Sequence, residues 1–195
     1  MTEPQESHTP ITALMERLEQ NELLGQAAEA LTEPVGSLLG SGALSDALRG
    51  RTLGHAIHPV LVQVPIGAVL SAAVLDLTQG RRANAQSRLL MGLAWVSLAP
   101  AALSGWAEWV RADERTKRVG IAHAALNGTA ALASAASYLA RRRGWSPGAA
   151  VLTAIAGAAL GCGGVLGGHL SLVRKYASHD RPSDSEGSTR GQFDD

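Results

Sequence analysis

Residues 54–67 read GHAIHPVLVQVPIG, so two histidines and a proline stand directly before a long apolar run. The run continues to about residue 77 and contains Asp76 as its only acid. Because each helical residue rises about 1.5 Å, a helix of this length crosses the ~30 Å hydrocarbon core of a bilayer. The stretch therefore predicts a membrane span that begins beside a pair of histidines.

Three further segments have spanning length. They lie at about 89–107, 119–140 and 148–173, and none of them contains Asp, Glu, Lys or Arg. The buried helices of a soluble bundle would need polar faces, which these segments lack. The sequence therefore predicts an all-α fold, a four-helix transmembrane bundle with spans at about 57–77, 89–107, 119–140 and 148–173.

The polar ends of the chain flank this four-span domain, which we assign to residues 51–173. Residues 1–50 are predicted to be a polar, partly amphipathic helical region, because Ile11, Leu14, Met15 and Leu18 follow Thr9-Pro10 on one helical face. We expect this helix to lie on the membrane or on the bundle. Residues 174–195 are rich in Ser and Asp, which predicts a disordered tail.

Composition excludes several classes of protein. Lys plus Arg equals Asp plus Glu at 17 each, so the net charge gives no reason to expect a nucleic-acid partner. A single cysteine, Cys162, excludes an intrachain disulfide and any multi-cysteine metal site. We find no hydrolytic nucleophile with a base and no phosphate-binding loop, so whether the chain is an enzyme stays open, as does its oligomeric state.

The distribution of basic residues predicts the orientation. With four spans both termini share one side, which holds eight Lys and Arg residues near the spans, whereas the other side holds six. The positive-inside rule therefore favours cytoplasmic termini. The N-terminus lacks the basic and apolar regions of a secretory signal, so we expect multi-pass insertion into the inner membrane through the internal spans.

Histidines are predicted to meet at one leaflet. His58 begins the first span, His123 lies just inside the start of the third, and His169 lies just before the end of the fourth. Starts of odd spans and ends of even spans lie on the same side, and His55 joins them from the preceding loop. Three or four imidazoles form a ligand set for a transition metal, and two of them form an axial pair for haem b.

Two neighbours of these histidines refine the prediction. Asn127 lies one turn after His123, and we expect it to support a ligating histidine by hydrogen bonding. Pro59 disfavours a helical conformation at the residue before it, so His58 is expected to be the N-cap of the first span. The alternative is that each imidazole only hydrogen-bonds a neighbouring helix, with no metal.

Asp76 is the one acid inside a predicted span. An unpaired acid there is costly, and Arg81, Arg82 and Arg88 lie at the same side of the membrane. We expect a structural ion pair or helix-end contact, with a proton-relay role as the alternative.

The fourth span is dense in glycine. Gly157 with Gly161, and Gly164 with Gly168, form small-xxx-small pairs that let helix backbones approach closely. These glycines are expected either to pack against another helix or to leave room for a flat cofactor.

The chain resembles a known family. The segments LGHAIHPVLVQVPIG, VLDL, GWAEW, RVGIAHAALN and LGGHL are similar, in consistent order from about residue 51 to 172, to bacterial membrane proteins of the domain-of-unknown-function 2231 family. The resemblance implies a four-span membrane domain. Some relatives carry a Rieske iron–sulfur or cytochrome domain on the same chain, which implies a redox setting. This chain has no Rieske cysteines, so such a partner would be a separate protein.

The leading hypothesis is a membrane redox subunit that holds haem b or a metal through these histidines and passes electrons between a quinone and a redox protein. The alternative is a non-catalytic membrane scaffold that anchors a partner protein. A third class, a proton or small-solute pathway, would use His58, Asn127 and Asp76 as relay groups.

Overall fold

The computed structural model describes residues 9–173, and all the regular structure in this range is helical. Four stretches are long and apolar enough to cross a membrane: His58–Thr78, Gly80–Trp109, Glu114–Arg141 and Pro147–Ser171. Each predicted span overlaps one of them, which confirms the four-helix transmembrane bundle. The predicted tail at 174–195 lies outside the described residues.

The first span consists of two helices, α4 (His58–Leu61) and α5 (Gln63–Thr78). Proline has no N–H, so Pro65 cannot bond the carbonyl of Leu61, and the helix divides there. The N-cap is Ile57, and His58 is the first helical residue. The prediction that His58 is the N-cap was therefore one residue off.

Three long helices complete the bundle: α6 (Asn84–Trp109), α7 (Glu114–Arg141) and α8 (Pro147–Gly168), which ends in a π-helical turn at His169–Val173. Helices α5 to α8 form a ring in which each packs on the next and α8 closes against α5. The buried core between them is built mainly from small side chains, namely Ala68, Val69, Ala72, Met91, Ala94, Leu98, Ala130, Ala133, Ala156, Ala159 and Leu160.

Three further helices precede the bundle: α1 (Pro10–Glu19), α2 (Glu22–Leu39) and α3 (Gly42–Leu48). The predicted helix start is confirmed, since the Thr9 hydroxyl accepts the N–H of Thr12 at 3.2 Å and Pro10 occupies the first helical position. Met15 is buried among Val119, Leu166 and Leu170. The N-terminal region thus packs on the bundle rather than only on lipid.

The bundle has two chemically different ends. At the histidine end, α4 and α7 begin and α6 and α8 finish; α1 to α3 pack beside it, as the bond from the Ser104 hydroxyl to the Leu48 carbonyl (2.7 Å) illustrates. At the ion-pair end, α5 and α7 finish and α6 and α8 begin, with Asp76 and Arg141 in contact between α5 and α7.

Candidate functional site

His58 is held by the neighbouring helix α6. Its Nδ1 lies 2.9 Å from the carbonyl oxygen of Ala101. Because a carbonyl only accepts, Nδ1 carries the hydrogen of this bond. The ring lies over Gly105, where a Cβ atom would come within 3.0 Å of the ring's Cε1. The glycine is therefore what gives the imidazole access to the helix backbone.

His123 repeats this arrangement on the other half of the bundle. Its Nδ1 donates to the carbonyl of Gly163 on α8 at 2.9 Å, and a Cβ at Gly167 would lie 3.2 Å from its Cε1. In both cases the histidine bonds a carbonyl four residues before a glycine of the next helix. Hydrogen bonds from Nδ1 to a carbonyl are the usual support of metal-binding histidines.

The two rings lie next to each other at the histidine end, in an edge-to-face arrangement. Their centroids are 6.3 Å apart and their planes are inclined at 69°. Nε2 of His58 makes no hydrogen bond within residues 9–171. Nε2 of His123 accepts a hydrogen bond from Nδ2 of Asn127 at 3.0 Å, and the same amide also donates to the His123 carbonyl at 2.9 Å. Asn127 thus contacts the nitrogen that a metal would use.

The structure places the other two candidate histidines elsewhere. Nε2 of His169 lies 3.1 Å from a carboxylate oxygen of Glu19, so this ring ties α8 to α1. His55 is exposed, and its Nδ1 bonds the nearby Leu53 carbonyl at 3.0 Å. Among the described residues, no group of three or more His, Cys, Asp or Glu could hold a metal ion. The expected four-histidine cluster is therefore a pair.

A cavity of about 580 Å³ opens beside the pair. His58, His123 and Asn127 line it, together with small residues and the indoles of Trp95, Trp106 and Trp109. Trp95 is 45 % exposed and lies halfway along α6, so this wall of the cavity faces the bilayer. The cavity is mainly apolar, and its polar lining consists of Gln63, Glu108, Thr116, Asn127 and Ser171 in addition to the two imidazoles.

The glycines of α8 divide by face. Gly163 and Gly167 face α7, where added Cβ atoms would meet Asn127 at 3.5 Å and His123 at 3.2 Å. A Cβ added at Gly157 would make ordinary contact with Val69 at 3.7 Å, whereas nothing lies within 4 Å of a Cβ placed at Gly161, Gly164 or Gly168. Two of these open glycines, Gly164 and Gly168, line the cavity. The close-packed small-xxx-small pair is thus Gly163 with Gly167.

Asp76 lies in a buried polar network at the ion-pair end. Its carboxylate pairs with Arg141, and the two side chains are 6 % and 0 % exposed. Ser87 donates to the same carboxylate at 3.0 Å, while Arg141 also donates to Ser137 at 3.2 Å and Thr153 at 3.0 Å. The expected partners Arg81, Arg82 and Arg88 are exposed instead. The exposed arginines keep their hydration and do not need a carboxylate partner, whereas the Arg141 side chain is buried inside the bundle beside Asp76.

A spacing in the sequence would have identified Arg141. His58 and Asp76 are 18 residues apart, and so are His123 and Arg141. Because 18 residues make five turns, His123 and Arg141 share a face of α7, and the same spacing recurs across the interruption in the first span. His58 precedes His123 by 65 residues, and Asp76 precedes Arg141 by the same number. In the helices that bind the histidines, Ala101 precedes Gly163 by 62 residues, and Gly105 precedes Gly167 by the same number. Spans one and two therefore correspond to spans three and four, as in transporters with parallel repeats.

Comparison with known proteins agrees with this architecture. No curated protein and no solved structure matches the chain. Residues 54–179, which include His58, His123 and all four spans, match the model of a family described as predicted membrane proteins. The chain therefore belongs to the domain-of-unknown-function 2231 family.

Proposed function

We propose that this chain is a membrane redox subunit that binds haem b at the histidine end, where His58 and His123 would hold it. The observation that supports this most is the repeated construction of the pair. Two imidazoles from different halves of the bundle are each fixed through Nδ1 to a backbone carbonyl, and both line one apolar cavity.

The number of ligands favours haem over a single metal ion. A structural zinc site takes four protein ligands and a catalytic one takes three. Within the described residues the pair gains no third His, Cys, Asp or Glu. Haem iron needs no more than two ligands from the protein, which this pair of imidazoles would supply.

The dimensions of the site fit this group. Metal–imidazole bonds are about 2.0–2.1 Å long, so two imidazoles that hold one ion between them would have well-separated ring centres. The observed separation of the ring centroids is 6.3 Å. The cavity of about 580 Å³ is of the size that buries small ligands, and open space lies beside Gly164 and Gly168 in its lining. For His123 to hold the group through Nε2, Asn127 would have to release this nitrogen.

A bound haem would supply one-electron transfer, while the protein supplies orientation and an environment that excludes water. The bilayer-facing wall at Trp95 would let a quinone approach from the membrane. A separate redox protein would approach from the histidine end. We place the chain in the inner membrane with cytoplasmic termini, since the side of the termini has eight basic residues against six.

A scaffold function is the second candidate. On α2 an outer stripe of leucines is exposed, with Leu23 and Leu38 each 74 % and Leu31 38 % accessible. Such a stripe fits an apolar surface of a partner protein or the bilayer interface. In this case the histidines would only tie helices together.

The experiment is a reduced-minus-oxidised absorbance spectrum of the full chain, purified in detergent after expression with sufficient haem. We expect a b-type spectrum in the wild type and its loss in His58→Ala and His123→Ala. His55→Ala is the matched control, because that ring is exposed and outside the pair. Thermal unfolding of each variant shows whether it folds.

Asn127 gives a second readout in the same assay. Its amide competes with haem for Nε2 of His123, and a hydrogen bond is worth about 0.5–1.5 kcal/mol. We expect Asn127→Ala to bind haem equally or up to about tenfold more tightly. A folded, colourless wild type, or a spectrum unaffected by either histidine variant, would refute the haem proposal and leave the scaffold.

A further inference from the structure

The two connections at the ion-pair end carry a concentration of exposed positive charge. Gly80–Ala83 joins α5 to α6, and residues 142–146 join α7 to α8. Five exposed arginines lie in these connections and in the first turns of α6, and together we name them the arginine rim: Arg81, Arg82, Arg88, Arg142 and Arg143.

Among the described residues near the rim, no acid is available to balance its charge. Between residues 54 and 107, and from 119 to 173, Asp76 is the only acid. Its carboxylate is buried against Arg141, so it is not available to the rim. At the histidine end, by contrast, cations have acidic neighbours, such as Arg51 beside Asp46 and Lys117 beside Glu114, each at 3.4 Å.

The span ends indicate that the rim is near the lipid headgroups, since Gly80–Trp109 has 30 residues and is longer than the bilayer core requires. Arg142 immediately follows the third span, and Arg81 follows the first span by three residues. The guanidinium of Arg81 is 5.8 Å from the ring centre of Trp145, which links the two connections. Indole rings favour the headgroup layer, and the indole N–H of Trp145 has no hydrogen-bond partner within the described residues.

We propose that the arginine rim is a binding surface for anionic phospholipid headgroups. A guanidinium group can donate two parallel hydrogen bonds to the oxygens of one phosphate. The apolar faces of α5 to α8 below the rim accommodate the acyl chains of the same lipid. A free phosphate ion would gain the first of these contacts but not the second. This inference is independent of the haem proposal, because the rim is at the opposite end of the bundle.

The test compares lipids on the purified full chain. Thermal unfolding is measured in neutral detergent with phosphatidylglycerol, with phosphatidylcholine or with inorganic phosphate at the same phosphate concentration. We expect phosphatidylglycerol alone to raise the unfolding temperature in a concentration-dependent way. The paired variants Arg81→Gln/Arg82→Gln and Arg142→Gln/Arg143→Gln should each weaken its apparent affinity, by roughly fivefold per arginine removed.

Arg115→Gln is the matched control, because Arg115 is exposed but lies at the histidine end. It should retain the full effect of phosphatidylglycerol. Unfolding in detergent without lipid shows that each variant is folded. The proposal is overturned if both lipids stabilise equally, if inorganic phosphate reproduces the effect, or if Arg115→Gln loses as much as the rim variants.

Discussion

At the scale of single residues, the position of each imidazole depends on a glycine in the neighbouring helix. Gly105 and Gly167 remove the Cβ atoms that would otherwise lie 3.0 and 3.2 Å from the rings of His58 and His123. The imidazoles can then reach the helix backbone and fix their tautomers. Because hydrogen bonds to Nδ1 leave Nε2 as the ligating atom, the glycines help to define the candidate site.

This role predicts opposite effects for two alanine substitutions on α8. Gly167→Ala places a methyl group against His123, and overpacking of this kind costs about 1–3 kcal/mol. Gly161→Ala meets nothing within 4 Å and removes a poor helix former, which gains up to about 1 kcal/mol. We expect thermal unfolding in detergent to fall for the first variant and to stay equal or rise for the second. Equal stability losses would contradict this assignment of faces.

Residue identity was easier to predict from the sequence than residue contacts. His58, His123 and Asn127 could be named because they lie at one end of apolar spans. The contact of His169 with Glu19 could not be predicted, because it joins residues 150 positions apart and depends on how α1 packs. The face of α8 that packs on α7 was also open, since its glycines occur on several faces.

At the scale of elements, the ion pair between α5 and α7 fixes how the two halves of the bundle meet. Asp76 and Arg141 occupy equivalent positions of the two halves but carry opposite charges. Two copies of the first half would bring two carboxylates together, and two copies of the second half would bring two guanidinium groups together. The pair therefore favours the association of unlike halves.

Removing one member of this pair leaves a buried charge without its partner, which costs about 3–5 kcal/mol. We expect Asp76→Arg and Arg141→Asp each to abolish folded protein, because like charges then meet. The double variant should recover much of the folded yield, since Ser87, Ser137 and Thr153 are hydroxyl groups that donate or accept. Size-exclusion profiles in detergent measure the folded yield.

Arg142→Gln is the control for this pair, because it removes a neighbouring but exposed arginine. Its folded yield should equal that of the wild type. If the double reversal were no better than the single ones, the pair would not act through charge complementarity. The network would then depend on the individual shapes of Asp76 and Arg141.

At the scale of the whole molecule, the fold could be predicted because each membrane span is one uninterrupted apolar segment of the sequence. Four uncharged or nearly uncharged segments gave the bundle, and alternation of the spans placed His58 and His123 at one end. The rotation of each helix about its axis, which decides the side chains that face the bundle interior, could not be predicted from the apolar character of the spans. The repeated spacing from His58 to Asp76 and from His123 to Arg141 carries that information, and it links both ends of the bundle.

The two ends of the bundle lie at opposite faces of the membrane and carry different candidate sites. The histidine end carries the candidate haem site and the N-terminal helices, whereas the ion-pair end carries the arginine rim. Because successive spans cross in opposite directions, the connections that contain Arg82 and Arg143 lie on one side and the connection beside Arg115 lies on the other, together with both termini. The count of basic residues favours cytoplasmic placement of Arg115 and of both termini.

Reporter fusions test this orientation in the full chain. A reporter that is active only in the cytoplasm, inserted after Arg115, should be active, and one inserted after Arg82 or Arg143 should be inactive. A reporter active only outside the cytoplasm should give the opposite pattern. If all three positions reverse, the four-span topology stands, and the histidine end instead faces away from the cytoplasm. If Arg82 and Arg115 report the same side, the four-span bundle and the histidine pair are both refuted.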